Sequence, residues 1–247
     1  MTAADVRIVL VRPKEDKNIG SVCRAMKTMG FSNLFIVGRE SIDRSEAAIT
    51  AVHAVDVLDR AVRCESLNEA IEDSVLVAGT TRRRGKWRKY FALAPEQLAE
   101  RVAAIDGGTC AIVFGNEASG LKAEELSRCH LAVRIPSSPR FPSLNLSHAV
   151  QIITYQIFRR LEGGGETDTF RPVSSGALDS LVSLMIATLS NIGFFTQGDP
   201  REMSVFLRDI FARATLEKRE ADRLAGIFRK ISGLIAGGGI ERKGIDP

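Results

Sequence analysis

Four stretches of this chain carry residue types that could do chemistry. The first, Asn18-Ile19-Gly20-Ser21-Val22-Cys23-Arg24, sets one guanidinium among small and apolar neighbours. Near the ends of a sheet such a group suits bidentate phosphate binding. The plainer reading is a salt bridge or a side chain lying along the surface. Asn18 and Arg24 can approach one ligand region only if Asn18 precedes the helix that carries Arg24. The second stretch is Phe114-Gly115-Asn116-Glu117-Ala118-Ser119-Gly120-Leu121. Its small residues let a ligand approach the backbone, and Asn116 and Glu117 can hydrogen-bond it. A tight turn with a helix cap is the alternative.

The third stretch, Arg82-Arg83-Arg84-Gly85-Lys86-Trp87-Arg88-Lys89-Tyr90, surrounds the single tryptophan with cations. Cations neutralise phosphates and aromatic rings stack on unpaired bases, so this loop reads as an RNA contact. Its alternative is a solvated basic loop. The fourth runs from Leu131 to Phe158 and contains Ile135-Pro136-Ser137-Ser138-Pro139-Arg140-Phe141-Pro142-Ser143-Leu144-Asn145. Pro136, Pro139 and Pro142 lock φ and lack an N–H, so neither helix nor strand continues through them. Long structured loops of this kind are often functional, although a well-packed connection would look the same.

Several chemistries are disfavoured. The G-x-x-x-x-G-K-[ST] frame is absent, and no G-x-G-x-x-G follows a strand, which counts against a nicotinamide-dependent oxidoreductase. Cys23, Cys64, Cys110 and Cys129 form no C-x-x-C pair, and His53, His130 and His148 show no metal-ligand spacing. No metal is expected, and the cysteines read as reduced thiols of a cytoplasmic protein. No Ser-His-Asp frame is apparent. No apolar run reaches the roughly 18–20 residues of a membrane span, and Met1–Asp5 has no secretory character. A net charge of +4 permits an anionic partner without demanding one.

The elements that must position these residues follow from hydrophobic pattern and punctuation. Val6–Val11 reads as a buried strand, Ile19–Met29 as a helix capped by Asn18 and ended by Gly30, and Asn33–Val37 as a second strand. The opening β-α-β order points to a parallel sheet. Helices are expected over Ser45–Val52, Leu67–Glu72, Pro95–Ile105 and Lys122–Ser127, and strands over Ser74–Gly79 and Thr109–Phe114. Leu131, Val133 and Ile135 alternate as in a half-buried strand. Ser143, Asn145 or Ser147 caps the apolar helix His148–Phe158 that follows. In such sheets ligands bind at the carboxyl ends of the strands. Residues 162–176, with Gly163-Gly164-Gly165, read as a linker. Three helices are then expected, Ala177–Asn191, Pro200–Ala214 and Leu216–Ile231.

Taken together, the motifs N-I-G-S-V-C-R-A-M-K-T-M-G-F, F-G-N-E-A-S-G-L and I-P-S-S-P-R-F-P-S-L-N-L-S-H-A-V resemble, in order and spacing, those of the SPOUT-class, TrmH-like RNA 2′-O-methyltransferases. The T-T-R-R-R-G loop, Asn191-Ile192-Gly193-Phe194-Phe195, Phe211–Leu216 and Glu220 extend the resemblance over nearly the whole chain. It is strongest to the enzymes that methylate the ribose of cytidine or uridine 32 in the tRNA anticodon loop. The resemblance implies an α/β, parallel-sheet SPOUT fold with a C-terminal trefoil knot over residues 1–161, and a small α-helical tRNA-binding extension over 177–247. It implies S-adenosylmethionine held by Thr80, Thr81, Arg82, Gly115, Ile135, Pro142, Ser143 and Leu144. Pro142 stands where some members carry Ser. It further implies a homodimer that builds each active site from two chains. Arg24, Asn18, Glu117, Ser143 and Asn145 would be catalytic, and Arg82, Arg83, Arg84, Lys86, Trp87, Arg88 and Lys89 would contact tRNA. Action on ribosomal RNA or on another tRNA position, or a catalytically idle RNA-binding protein on the same fold, are the rival readings.

Overall fold

The computed structural model describes residues 1–82, 91–163, 171–195 and 199–236. The chain divides into two compact units, Met1–Arg171 and Pro172–Pro247.

The first unit is built on a seven-stranded, all-parallel sheet: β1 (Val6–Val11), β2 (Asn33–Val37), β3 (Val62–Cys64), β4 (Ser74–Thr80), β5 (Ala92–Leu93), β6 (Thr109–Phe114) and β7 (Leu131–Val133). Their spatial order is β3-β2-β1-β6-β4-β7-β5. Ile8 pairs with Leu34 on one side and Ile112 on the other, so β1 lies in the middle of the ladder. Every residue of β1 is buried, as expected for a strand covered on both faces.

Side-chain alternation divides the core into two layers. Ile8, Leu10, Leu76, Ile112, Phe114 and Val133 face one layer. Helices α1 (Asp16–Thr28), α2 (Arg44–Ala51), α3 (Val55–Asp59), α5 (Pro95–Ala104) and α7 (Leu146–Glu162) cover it through Ile19, Met26, Ala47, Val57, Leu98, Ile153 and Ile157. Val9, Val77, Ala111, Val113 and Ala132 face the other layer, which α4 (Leu67–Ile71) and α6 (Ala123–Ser127) close with Leu67, Ile71 and Leu126.

Three details differ from the sequence reading, and a choice it left open is settled. Helix α1 starts at Asp16 with Glu15 in the capping position, so Asn18 lies inside its first turn and is not its cap. The strand after Ser127 is not half-buried: β7 is inserted between β4 and β5 and is covered on both faces, so its alternation reflected residue size and not exposure. Strands β3 and β5 and helix α3 are too short to leave a periodic signal. Of the three candidate caps before α7, Asn145 serves, its Oδ1 accepting from the Ser147 N–H at 2.8 Å. Pro95 takes the first-turn position of α5 as its fixed φ predicts.

The second unit holds three helices, α8 (Ser175–Asn191), α9 (Pro200–Ala214) and α10 (Lys218–Ala236). Ser174 caps α8 and Asp199 caps α9. Leu178 and Val182 pack on Ala212 of α9, and Leu181 and Met185 pack on Ala225 of α10. Arg208 joins α9 to α8 through Asp179 at 2.6 Å.

Candidate active site at the carboxyl ends of the parallel sheet

Three neighbouring strands, β6, β4 and β7, end at the same edge of the sheet, and the segments leaving them enclose a cleft of about 150 Å³. Its wall contains Thr80, Thr81 and Arg82 after β4, Gly115 to Leu121 after β6, and Ile135 with Pro142, Ser143 and Leu144 after β7. All eight residues expected to hold a cofactor line it, with Glu117 beside them. The Thr80 hydroxyl donates to the Val113 carbonyl at 3.1 Å, and the Thr81 N–H donates to the Val133 carbonyl at 2.8 Å. The end of β4 is thereby fastened to both neighbours, which is how sheet ends become a rigid ligand platform.

The loop after β6 doubles back on itself. A β-carbon on Gly115 would stand 2.1 Å from the Leu121 nitrogen, so only glycine permits this closure. Asn116 staples the turn: its Oδ1 accepts from Ala118 N–H at 2.9 Å and from Ser119 N–H at 3.3 Å. Its amide donates to the Arg12 carbonyl at 2.7 Å. The turn reading of this stretch holds. The turn makes the bare backbone that lines the cleft.

Glu117 projects from that loop to the start of α1. Its carboxylate accepts from Lys14 N–H at 2.9 and 3.2 Å, from Glu15 N–H at 3.4 Å and from the Asn18 amide at 3.0 Å. Half-burial by itself raises its pKa, but these donors and its own N–H outweigh that and hold the carboxyl below its ordinary value. Asn18 Oδ1 in turn accepts from the Asn145 amide at 3.0 Å. A continuous relay therefore ties the β6 loop, the first turn of α1 and the cap of α7. Glu117, Asn18 and Asn145 are fasteners of the cleft in this arrangement, with Ser143 exposed on its rim.

Arg24 is not part of that group. Six residues separate it from Asn18, which carries it about 240° around the helix. It lies in a second, more open cleft of about 420 Å³, with Ser21 and Thr28 of α1, Ile49 and Val52 around the end of α2, and His148 and Gln151 of α7. Its guanidinium has no hydrogen bond or ion pair among the described residues, so the salt-bridge reading finds no partner among them. Val52 on the rim has φ +55, a costly conformation for a β-branched residue.

Of the predicted RNA-contacting residues, Arg82 lines the first cleft, while Arg83, Arg84, Lys86, Trp87, Arg88 and Lys89 lie outside the described residues. Sequence reasoning passed over Arg12. It has φ +51, gives its carbonyl to Asn116, and forks onto Glu125 of α6 at 2.8 and 3.1 Å. Its only signal was a charged residue directly after a buried strand. Desolvation pushes the buried thiols of Cys23 and Cys110 each up to about 12, which keeps these two protonated and disfavours them as nucleophiles. Among the described residues no group of three or more His, Cys, Asp or Glu could hold a metal ion. No helix there is long and apolar enough to cross a membrane.

Similarity to known proteins agrees with this geometry. Over 240 residues, 90% of this chain and 92% of the other, it is 35% identical to the tRNA (cytidine/uridine/adenosine-2′-O-)-methyltransferase TrmJ of Pseudomonas aeruginosa. Over 157 residues, 63% of this chain and 68% of the other, it is 41% identical to the tRNA (cytidine-2′-O-)-methyltransferase TrmJ of Methanocaldococcus jannaschii. The crystal structure of TrmJ from Z. mobilis superposes with a TM-score of 0.77 at 28% identity, covering 93% of this chain and 100% of that one. Residues 5–155, the segment that carries both clefts, match the SpoU rRNA Methylase family, and the chain belongs to that family.

Proposed function

We propose that this chain transfers the methyl group of S-adenosylmethionine to a ribose 2′-oxygen of tRNA, at the pyrimidine in position 32 of the anticodon loop. The observation that carries the reading is the cleft at the ends of β6, β4 and β7, where the segments that leave these three strands meet around bare backbone. Its wall fits the cofactor: Ile135, Leu144 and Val133 offer apolar surface, and Thr80, Ser143 and the backbone around Gly115 offer polar groups. The names of the relatives support tRNA and ribose 2′-O-methylation, and the Pseudomonas enzyme's name extends the bases to adenosine. Position 32 rests on motif resemblance. A trefoil knot belongs to the same reading, and the later strand β7 lying between the earlier β4 and β5 supports it.

S-adenosylmethionine supplies, when bound, a methyl group carried on a sulfonium. The chain's own residues position the acceptor. Arg24 cannot act as a simple base, because a guanidinium keeps its proton. It grips the phosphate beside the target ribose and orients the 2′-hydroxyl. Because Arg24 lies outside the first cleft, a homodimer is part of the reading, with Arg24 of one copy completing the cleft of the other. The bare guanidinium and the exposed Ile49 and Val52 beside it support such an interface. The basic loop at residues 82–90 and the cationic face of α10 hold tRNA in a cytoplasmic enzyme. Arg219, Arg223 and Lys230 recur on that face at helical spacing and are exposed. Replacing all three with Glu should weaken tRNA binding in gel-shift titrations; unchanged affinity would remove α10 from the interface.

The direct test is transfer of tritiated methyl from S-adenosylmethionine to bulk tRNA, followed by nucleoside mapping. Label in a 2′-O-methylpyrimidine at position 32 is expected. Label in ribosomal RNA alone would overturn the substrate, and no transfer to either RNA would leave a binding protein.

A further inference from the structure

We propose that Arg39 is a positioning residue for the first cleft: it grips two successive peptide groups by their carbonyls and so aims their N–H groups at Glu117. Arg39 follows Gly38 at the end of β2 and belongs to none of the motifs that line either cleft. Gly38 has φ +66, and this turn brings the following side chain back under the segment between β1 and α1. Nη1 of Arg39 donates to the Pro13 carbonyl at 3.1 Å and to the Lys14 carbonyl at 2.6 Å. Nη2 meets Asp16 Oδ1 at 2.6 Å, and Nε donates to the Ser41 carbonyl at 2.8 Å. The Arg39 and Asp16 side chains are only 18% and 10% exposed, so this cluster is shielded from water.

The covalent geometry links that cluster to the cleft. The Pro13 carbonyl and the Lys14 N–H belong to one trans peptide unit, and the Lys14 carbonyl and the Glu15 N–H belong to the next. In a trans unit the two groups point in opposite directions. The N–H groups opposite Arg39 are the ones Glu117 accepts from, at 2.9 Å from Lys14 and 3.4 Å from Glu15. Two peptide units are therefore held between a guanidinium at their oxygen ends and a carboxylate at their hydrogen ends. Each charge polarises the peptides toward the other, which strengthens both sets of bonds. The planar fork reaches the two carbonyls from Nη1, Asp16 from Nη2 and the Ser41 carbonyl from Nε, a spread that the single nitrogen of a lysine cannot reproduce. Through Glu117, Arg39 sets the loop whose backbone lines the cleft.

The test measures Glu117 directly, by the pH titration of its side-chain carboxyl ¹³C signal in the full chain. Native protein is compared with Arg39→Met, Arg39→Lys and the control Arg7→Met. Arg7 is a comparably buried fork on Asp73 at the opposite end of β1, so its loss destabilises without touching the cleft. The Glu117 midpoint should rise in Arg39→Met, rise less in Arg39→Lys and stay at the native value in Arg7→Met. A native-like midpoint in Arg39→Met overturns the proposal, and if that variant does not fold, Arg39→Lys decides by the same criterion. Calorimetry with S-adenosylmethionine forms the second arm, which rests on the reading of the cleft as a cofactor site. Affinity should fall about tenfold in Arg39→Met and remain native in Arg7→Met, as a displaced loop would require. A shifted midpoint in a chain that binds no S-adenosylmethionine would keep the brace and reject the cofactor reading.

Discussion

The two clefts of the first unit are finished to different degrees. At the ends of β6, β4 and β7 the polar groups are engaged with one another: Asn116 with Arg12 and its own turn, and Glu117 with Lys14, Glu15 and Asn18. Asn18 is engaged in turn with Asn145. On the helical side, Arg24 has no partner among the described residues, and Ile49 is 68% exposed beside it. A cleft whose polar groups are already satisfied is preorganised, so a small ligand can enter without reordering it. A bare guanidinium among exposed apolar side chains leaves a surface open to a partner. On the proposed reading, cofactor capture and acceptor handling fall to different faces of α1.

That division can be broken or sharpened by experiment. The largest effect should come from Arg24→Ala: methyl transfer in single turnover should fall by about a hundredfold or more. S-adenosylmethionine affinity by calorimetry should stay within about twofold of native. Near-normal turnover would remove Arg24 from the chemistry, and a parallel loss of cofactor affinity would merge the two clefts. Gly115→Ala should act on the other side of the division. Its new β-carbon collides with backbone, so cofactor affinity should weaken by about tenfold, with a stability loss of about 1–3 kcal/mol in urea titrations. Transfer should then recover at saturating cofactor. The smallest effect concerns pH. The Glu117 carboxyl is held below its reference value of 4.5, so it stabilises the fold above that pH and loses the contribution as pH falls through the folded-state value. Glu117→Gln should therefore be less stable than native at pH 7, with the gap closing at strongly acid pH. A gap that is constant with pH would show that the hydrogen bonds to Glu117 carry no charge-dependent part.

Much of this was legible in the residues. Thr109–Phe114 and Val6–Val11 are strands with the expected bounds, because a strand buried on both faces writes itself as a nearly continuous apolar run, interrupted in β1 by Arg7. The boundary of α1 was not legible. Asn18 is a good capping residue by type, but its amide is drawn to Glu117 and Asn145, 99 and 127 residues away, and the helix starts earlier. Nor was the burial of β7, since alternation along three residues cannot tell an edge strand from one that later pairs on both sides.

The sequence by itself determined the parallel α/β class and the glycine that closes the β6 loop, and its motif resemblance to a known family named the residues of the first cleft. Each of these depends on neighbours along the chain: apolar runs, turn residues and motif spacing. Only the tertiary structure decided which groups meet. It parted Arg24 from Asn18, because a helix turns through a fixed angle per residue once its start is known. It also joined Arg39 to Glu117 through two peptide units, because a trans peptide carries its donor and acceptor on opposite sides and the fold placed opposite charges there.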